Sequence, residues 1–256
     1  MAMPRPDRFQ RRARPLLGTL VEVGVCRGIE PDEGPLEAAF EAAFGAVLDV
    51  QRCLSRFDPD SDLSRFHALP RGGTLRLRPA TRAVLTAAQD LQGRSNGRFD
   101  ISLGSAPEGW CCEGELLHKR SAATRLDAGG IAKGHAVDRA VQALQTAGCT
   151  SGWVNAGGDL RAFGDVAVPV HLRDEARGGV RHFADIAQGA FATSHFDAGS
   201  RSALAGGAGC GRAHLSVAAP LCLWADALTK VLALGGSGGA DDAAILAAYQ
   251  ASAWRH

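Results

Sequence analysis

The chain has 256 residues, with 28 basic side chains against 27 acidic ones, and 46% of its residues are apolar. That is enough to bury a sizeable core in one large domain or two small ones, and it excludes a disordered chain of low hydrophobicity. A net charge of +1 argues against nucleic acid as the main partner, and no apolar run reaches the roughly 18 residues of a membrane span.

Met1 to Pro15 holds five arginines and no apolar stretch of signal-peptide type. It reads as a short, flexible, solvated arm ahead of a single domain over 16–256. Leu16 to Val25 is rich in β-formers and reads as a first strand. Pro35 opens a long amphipathic helix, in which Phe40, Ala43, Phe44, Val47, Leu48 and Leu54 recur at spacings of three, four and seven. Asp58-Pro59-Asp60-Ser61 ends it, and residues 61–66 read as a short capped turn. Leu75 and Leu77 alternate with Arg in a strand pattern. Pro79 to Ser95 reads as a second helix with Ala83, Val84, Ala87, Ala88 and Leu91 inward, closed by Asn96-Gly97.

Gly104 to Ser121 reads as an irregular loop. A third helix follows, running to about Ala147, with Ala136, Val137, Ala140, Val141 and Leu144 inward and Gly148 just past its end. Strand-like segments come at 152–156, 160–164, 166–172, 181–187 and 190–194. Beyond a small-residue stretch at 197–212 lie a strand at 215–219, a helix at 221–234, a flexible break at 235–239 and a last helix at 241–249. Helices and strands do not alternate strictly, and the run of strands reads as antiparallel. The expected class is therefore α+β, a mostly antiparallel sheet packed with helices, rather than a doubly wound sheet.

Seven dispersed cysteines without a Cys-x-x-Cys argue against a zinc ribbon and for reduced thiols in the cytoplasm. The adjacent Cys111 and Cys112 read as packing residues ahead of reactive ones. Of the basic residues only three are Lys: 119, 133 and 230. In so Arg-rich a chain, a retained Lys hints that a compact amine is wanted at its position.

Three clusters carry chemistry. Asp127 to Asp138 (DAGGIAKGHAVD) sets two glycines and Lys133 before a helix start, a favourable place for an anion, although neither standard nucleotide-binding glycine motif is present. A Gly-rich turn into a helix explains the same residues. Asn155 to Leu160 (NAGGDL) suits a hairpin turn and alone decides nothing. Asp226 and Lys230 share a helix face at i and i+4, either around a hard cation or as an ion pair.

Together the clusters resemble the FAD:protein FMN transferases, the ApbE family. The likeness runs from Leu17-Gly18-Thr19 through Leu54-Ser55-Arg56-Phe57, Asp60 to Phe66 and Gly97 to Ser102. Its strongest part is LDAGGIAKGHAVDRA followed by VNAGGDLRAFG, and it closes with Ala192-Thr193-Ser194 and APLCLWADALTKVLALG. The resemblance implies an ApbE-like domain that binds FAD and Mg²⁺, splits the pyrophosphate, releases AMP and attaches FMN to a Thr or Ser hydroxyl of an acceptor flavoprotein. By the same resemblance Asp127 and Lys133 are flavin-nucleotide contacts. Leu17, Phe57, Arg98, Phe99 and Asp100 line the FAD pocket, with Phe57 standing where most relatives carry Tyr. Gly130, through its carbonyl, and Asp226 are metal ligands.

Three departures stand out. The family's His in the segment after ATSG falls on Ser202, and the Asp and Pro of that segment fall on Ala205 and Gly206. The glycine of ATSG is His195, which becomes a candidate stand-in for the missing base. The Thr of the family's Asp-Ala-Leu-x-Thr metal motif is Lys230, while Thr229, the remaining candidate hydroxyl ligand, comes one residue early and faces about 100° away on a helix. Lys230 is thus the candidate to take over part of the role of Mg²⁺ beside Asp226. Besides FMN transfer, two alternatives stay open on sequence: a catalytically degenerate FAD-binding protein, and an FAD pyrophosphatase. The acceptor protein is not identified.

Overall fold

The structure, a computed structural model, describes residues 9–26, 33–173, 178–196, 213–235 and 240–256. The first half of the chain forms β1 (Phe9–Leu16), β2 (Thr19–Cys26), α1 (Glu33–Leu54), α2 (Asp62–Ala68), β3 (Thr74–Arg76), α3 (Pro79–Arg94), β4 (Trp110–Glu113) and β5 (Leu116–Lys119). The second half forms α4 (Ala132–Thr146), β6 (Gly152–Ala156), β7 (Asp159–Phe163), β8 (Val168–Arg173), β9 (Val180–Ile186), β10 (Gly189–Phe196), β11 (Ala213–Ala219), α5 (Cys222–Leu234), α6 (Ala240–Ala248) and β12 (Ser252–Arg255).

A seven-stranded sheet runs in the order β1-β2-β6-β7-β10-β11-β12, with every pairing antiparallel. One face carries α4 and α5, with α1 packed against α4. On β2 the side chains of Val21, Val23 and Val25 are buried in that core, as the two-residue period of a strand requires. The other face is partly covered by the β8–β9 ribbon, over a smaller apolar cluster of Trp153, Leu160, Val170, Leu172 and Phe191. A three-stranded sheet, β3-β5-β4, stands apart. The α+β class expected from sequence is the class observed.

Several elements differ from the sequence reading. Residues 9–15, expected in a solvated arm, form most of β1; residues 1–8 lie outside the described residues. The arginines do not prevent the strand, because they alternate. Arg12 and Arg14 lie over the rings of Phe40 and Phe44 on α1 and pair with Glu37 and Glu41, while Arg11 lies over Trp153. The β1–β2 hairpin closes through Leu17 and Gly18, both at positive φ (56° and 71°), in the tight turn that matches strand twist. Gly18 takes that conformation without a steric cost, whereas Leu17 is held in it by its N–H, which donates to Gln51 Oε1 at 2.6 Å.

Gly104 to Ser121, expected as a loop, contains the β4–β5 hairpin, where Cys111 and Cys112 are buried and burial pushes both thiols up. Packing is therefore their role. On α3 the buried residue is Leu85 rather than Ala83. The stretch at 197–212, with Ser202, and most of the break at 235–239 lie outside the described residues.

α4 is buried on more than its predicted face, because α1, α5 and the sheet all press on it. At Gly134 it lies tightly against α5: a Cβ there would lie 2.3 Å from the carbonyl oxygen of Cys222. At the same crossing Asp138 caps α5 from outside. Its carboxylate accepts from the N–H groups of Cys222 and Leu223, both at 2.9 Å, because Leu221 has no side chain able to do so.

Gly134→Ala is expected to force the two helices apart and lower stability by about 3 kcal/mol, about 10 °C in Tm. Thermal unfolding followed by circular dichroism checks this, and an unchanged Tm would refute so close a contact. His135, next on the helix, is buried with no partner for Nε2 among the described residues, and burial with nearby Arg139 lowers its pKa to about 4. The folded protein keeps this ring neutral while the unfolded chain protonates it below pH ~6.5, so stability is lost as pH falls from about 6.5 to 4. His135→Leu is expected to change stability little at pH 7. Across that window its advantage over wild type should grow to something on the order of 3 kcal/mol, as read by denaturant titration at each pH.

Candidate active site

Chain segments far apart in sequence meet at one cavity of about 340 Å³, lined by Arg56, Arg98, Phe99, Asp100, Asp127 and Gly130, among others, with Lys230 as a further wall. The N-terminal end of α4 supplies Gly129 and Gly130 just ahead of its first turn. The turn after α3 supplies Arg98 to Asp100, and α5 supplies Lys230.

Each wall is held by its own hydrogen bonds. The Asp100 carboxylate accepts from the N–H groups of Ser102 and Gly104 and from the Ser102 hydroxyl, which fixes the turn and leaves Phe99 packed in the core. Arg98 Nη1 reaches Asp242 Oδ1 of α6 at 2.5 Å. Asp127 Oδ1 accepts from Gly129 N–H at 2.8 Å, and its Oδ2 meets Arg56 at 3.5 Å. The Arg56 guanidinium also lies 4.7 Å from the ring centre of Phe57, and that ring is 82% exposed. Phe57 thus stands near this wall as an open aromatic face rather than within it.

Three charged groups, Asp226, Lys133 and Asp159, lie behind the cavity wall that Lys230 helps to form. Asp226 is fully buried; its Oδ2 accepts from Gly134 N–H at 3.2 Å and its Oδ1 from Lys230. Lys133 pairs with Asp159, the first residue of β7, after the two-residue Gly157-Gly158 turn. Burial works against the charge on Lys133, but Asp226 and Asp159 outweigh it and hold the ammonium above its ordinary pKa. Burial also works against Asp226, yet Lys230, Lys133 and the Gly134 N–H hold its carboxyl below the usual range. Asp159 is pushed up to about 6 by burial and by Asp226, against the pull of Lys133 and Lys230.

Lys230 makes three contacts. Its Nζ donates to Asp226 Oδ1, to the Asp226 carbonyl at 3.0 Å and to Ser194 Oγ at 3.2 Å. Thr229 Oγ1 donates to the Asp226 carbonyl at 2.7 Å and pairs with Ser194 Oγ at 2.8 Å. Hydrogens are accounted for if Lys230 donates to Ser194, Ser194 to Thr229 and Thr229 to the carbonyl.

The sequence-selected residues therefore divide. Arg98, Phe99, Asp100, Asp127, Gly130 and Lys230 share the cavity; Asp226 and Lys133 lie behind it. Leu17 is not among the residues lining the cavity and serves the β1–β2 turn. Thr229 is fully buried and its hydroxyl is engaged with Ser194 and the Asp226 carbonyl, as its helical position implies. His195 is not beside Lys230. Ser194 points to α5, so the strand period turns His195 to the opposite face, where it lines a separate cavity of about 660 Å³ with His214. Ser202 lies outside the described residues. Arg56, Asp159 and Ser194 were not selected as site residues. All three lie within motifs quoted for the resemblance, and their side-chain chemistry was the available signal.

The sequence profile of the ApbE family matches residues 17–116 and 110–197. No curated protein matches the chain. Among solved structures, the fold is similar to the flavin transferase ApbE of Vibrio cholerae, at 20% identity and a TM-score of 0.82 over 96% of this chain and 93% of that one. It is likewise similar to the flavinyl transferase ApbE of Pseudomonas stutzeri, at 20% identity and a TM-score of 0.80 over 96% and 90%. The ApbE protein of Thermotoga maritima follows at 19% identity and a TM-score of 0.77 over 88% and 86%. With its profile match extending over more than half of the sequence, this chain belongs to the ApbE family.

Proposed function

We propose that the chain transfers FMN from FAD to a Thr or Ser hydroxyl of an acceptor flavoprotein, with release of AMP. One observation carries this reading: the fold gathers Arg98, Phe99, Asp100, Asp127, Gly130 and Lys230 around a single cavity. Of these, the resemblance assigns Arg98, Phe99 and Asp100 to the FAD pocket, Asp127 to flavin-nucleotide contact and Gly130 to the metal, and Lys230 stands where the family carries Thr. The family membership and the flavin transferases of the same fold support it.

In this reading Arg56, Arg98, Lys133 and Lys230 supply the cationic surroundings that a diphosphate needs, and Phe57 offers a ring face for stacking. The acceptor hydroxyl oxygen attacks the phosphorus of the FMN half. The P–O bond to AMP breaks, AMP leaves as the phosphate, and the hydroxyl proton passes to solvent or to a base. Cys53, Cys111, Cys112, Cys149 and Cys222 carry free thiols, which favours a reducing compartment, and we assign the activity to the cytoplasm. No described helix is long and apolar enough to cross a membrane. The degenerate FAD-binding alternative is favoured by Ser202 and Lys230, where the resembled family carries His and Thr.

The test is incubation of the protein with FAD and a carrier protein bearing the acceptor sequence Asp-x-x-x-Gly-Ala-Thr, followed by mass spectrometry and in-gel flavin fluorescence. AMP release together with a fluorescent carrier supports transfer. AMP with free FMN makes the protein a pyrophosphatase, and bound FAD without AMP makes it a binding protein. Phe57→Ala is expected to leave Tm unchanged, since the ring is exposed. It should weaken FAD binding roughly tenfold, the loss of one stacked ring being worth about 1–3 kcal/mol.

A further inference from the structure

The family's metal site can be tested against the residues present, and they do not fit a divalent cation. Mg²⁺ takes oxygen ligands in near-octahedral array and gives up its waters reluctantly. Of the two carboxylates in this patch, Asp226 already accepts from Gly134 N–H on Oδ2 and from Lys230 on Oδ1, and Asp159 is paired with Lys133. The nearest hydroxyls, Ser194 and Thr229, are bonded to each other, to Lys230 and to the Asp226 carbonyl. No cluster of three His, Cys, Asp or Glu residues suited to a metal occurs among the described residues.

We propose that the Lys230 ammonium is a resident cation occupying the Asp226 site, so that this chain binds the diphosphate of its flavin nucleotide without a divalent metal. The proposal rests on the flavin reading above.

The geometry supports it in three ways. An ammonium has three N–H donors, and all three have acceptors: the Asp226 carboxylate, the Asp226 carbonyl and the Ser194 hydroxyl. Lys230 is four residues after Asp226 on the same helix, so the cation is tethered and no ion has to be recruited from solution. The Lys230 side chain also lines the cavity and runs beside Gly130, where a Cβ would lie 3.6 Å from its methylene carbons. The side chain that carries the resident charge therefore borders the cavity, while its ammonium is held at Asp226 and Ser194.

The substitution has an electrostatic cost. Asp226 with a divalent ion would sum to +1, whereas Asp226 with Lys230 sums to zero. Arg56 and Arg98 on the cavity wall supply positive charge that does not depend on a metal.

FAD titration by flavin fluorescence, in Mg²⁺ and again in EDTA, tests the proposal on the unaltered protein. The Kd is expected to agree within twofold between the two buffers. Mn²⁺ binding to the unliganded protein, read from the electron paramagnetic resonance signal of the free ion, is expected to be absent. Lys230→Thr, folded by circular dichroism, should acquire an Mn²⁺ site and bind FAD at least tenfold more tightly in Mg²⁺ than in EDTA. Lys230→Met, with similar bulk and no charge, should weaken FAD binding in both buffers. A tenfold loss of wild-type affinity in EDTA, or an Mn²⁺ site in the wild type, overturns the proposal. No FAD binding in either buffer overturns the flavin reading itself, and the Mn²⁺ measurement then still decides what occupies Asp226.

Discussion

Asp159 and Asp226 are two carboxylates in one dry patch, and the surrounding structure is arranged so that neither is left without a cation. Lys133 from α4 meets the first, and Lys230 from α5 meets the second. Removing one member of such a pair leaves a buried charge, at a cost of about 3–5 kcal/mol. The relative placement of α4, α5, β7 and β10 is therefore constrained by charge as well as by packing. The absence of a side chain at Gly134 lets α4 lie close against α5, and its N–H donates to Asp226 Oδ2.

The same helix crossing joins stability to the site. Asp138 holds the first turn of α5 through two backbone N–H groups while its carboxylate also meets Arg161 of β7 at 2.8 Å. Burial raises the Asp138 pKa, and these donors oppose that rise. More than two turns before Asp138, just ahead of α4, come Gly129 and Gly130, which border the cavity. One helix thus presents a capping carboxylate toward α5 and an ammonium toward β7, so a change in its position would disturb both.

Much of this was legible in the sequence, because the long helices carry strong periodicity. Phe40, Ala43, Phe44 and Val47 of α1 and the whole predicted inner face of α4 are buried as their spacing implies. Short elements were harder. In β4 and β5 the apolar residues lie within four-residue strands, too brief for a period to show, and Gly and Pro nearby suggest a loop. The arginines of β1 concealed a strand because their partners, the α1 glutamates and aromatic rings, are distant in sequence. Motif order singled out Asp127, Gly130 and Asp226, which the fold places at one cavity or just behind it. It could not find Asp159 as the partner of Lys133, since that pairing exists only after β7 has been placed in the sheet. His195 was selected by its neighbourhood in sequence, and alternation along β10 turns it away from Lys230, toward the cavity it shares with His214.

The arginines of β1 have one more consequence, which concerns behaviour at high concentration. β1 is an end strand of the seven-stranded sheet, and a free strand edge invites pairing with another molecule. Arg11, Arg12 and Arg14 place long charged side chains along that border, two of them paired with Glu37 and Glu41, and charged side chains on an edge discourage such pairing. Behind it, β2 presents Val21, Val23 and Val25, a far more adhesive border if uncovered. The segment that composition marks as solvated thus shields the sheet from self-association, and a chain trimmed at residue 17 would fail first through loss of colloidal stability.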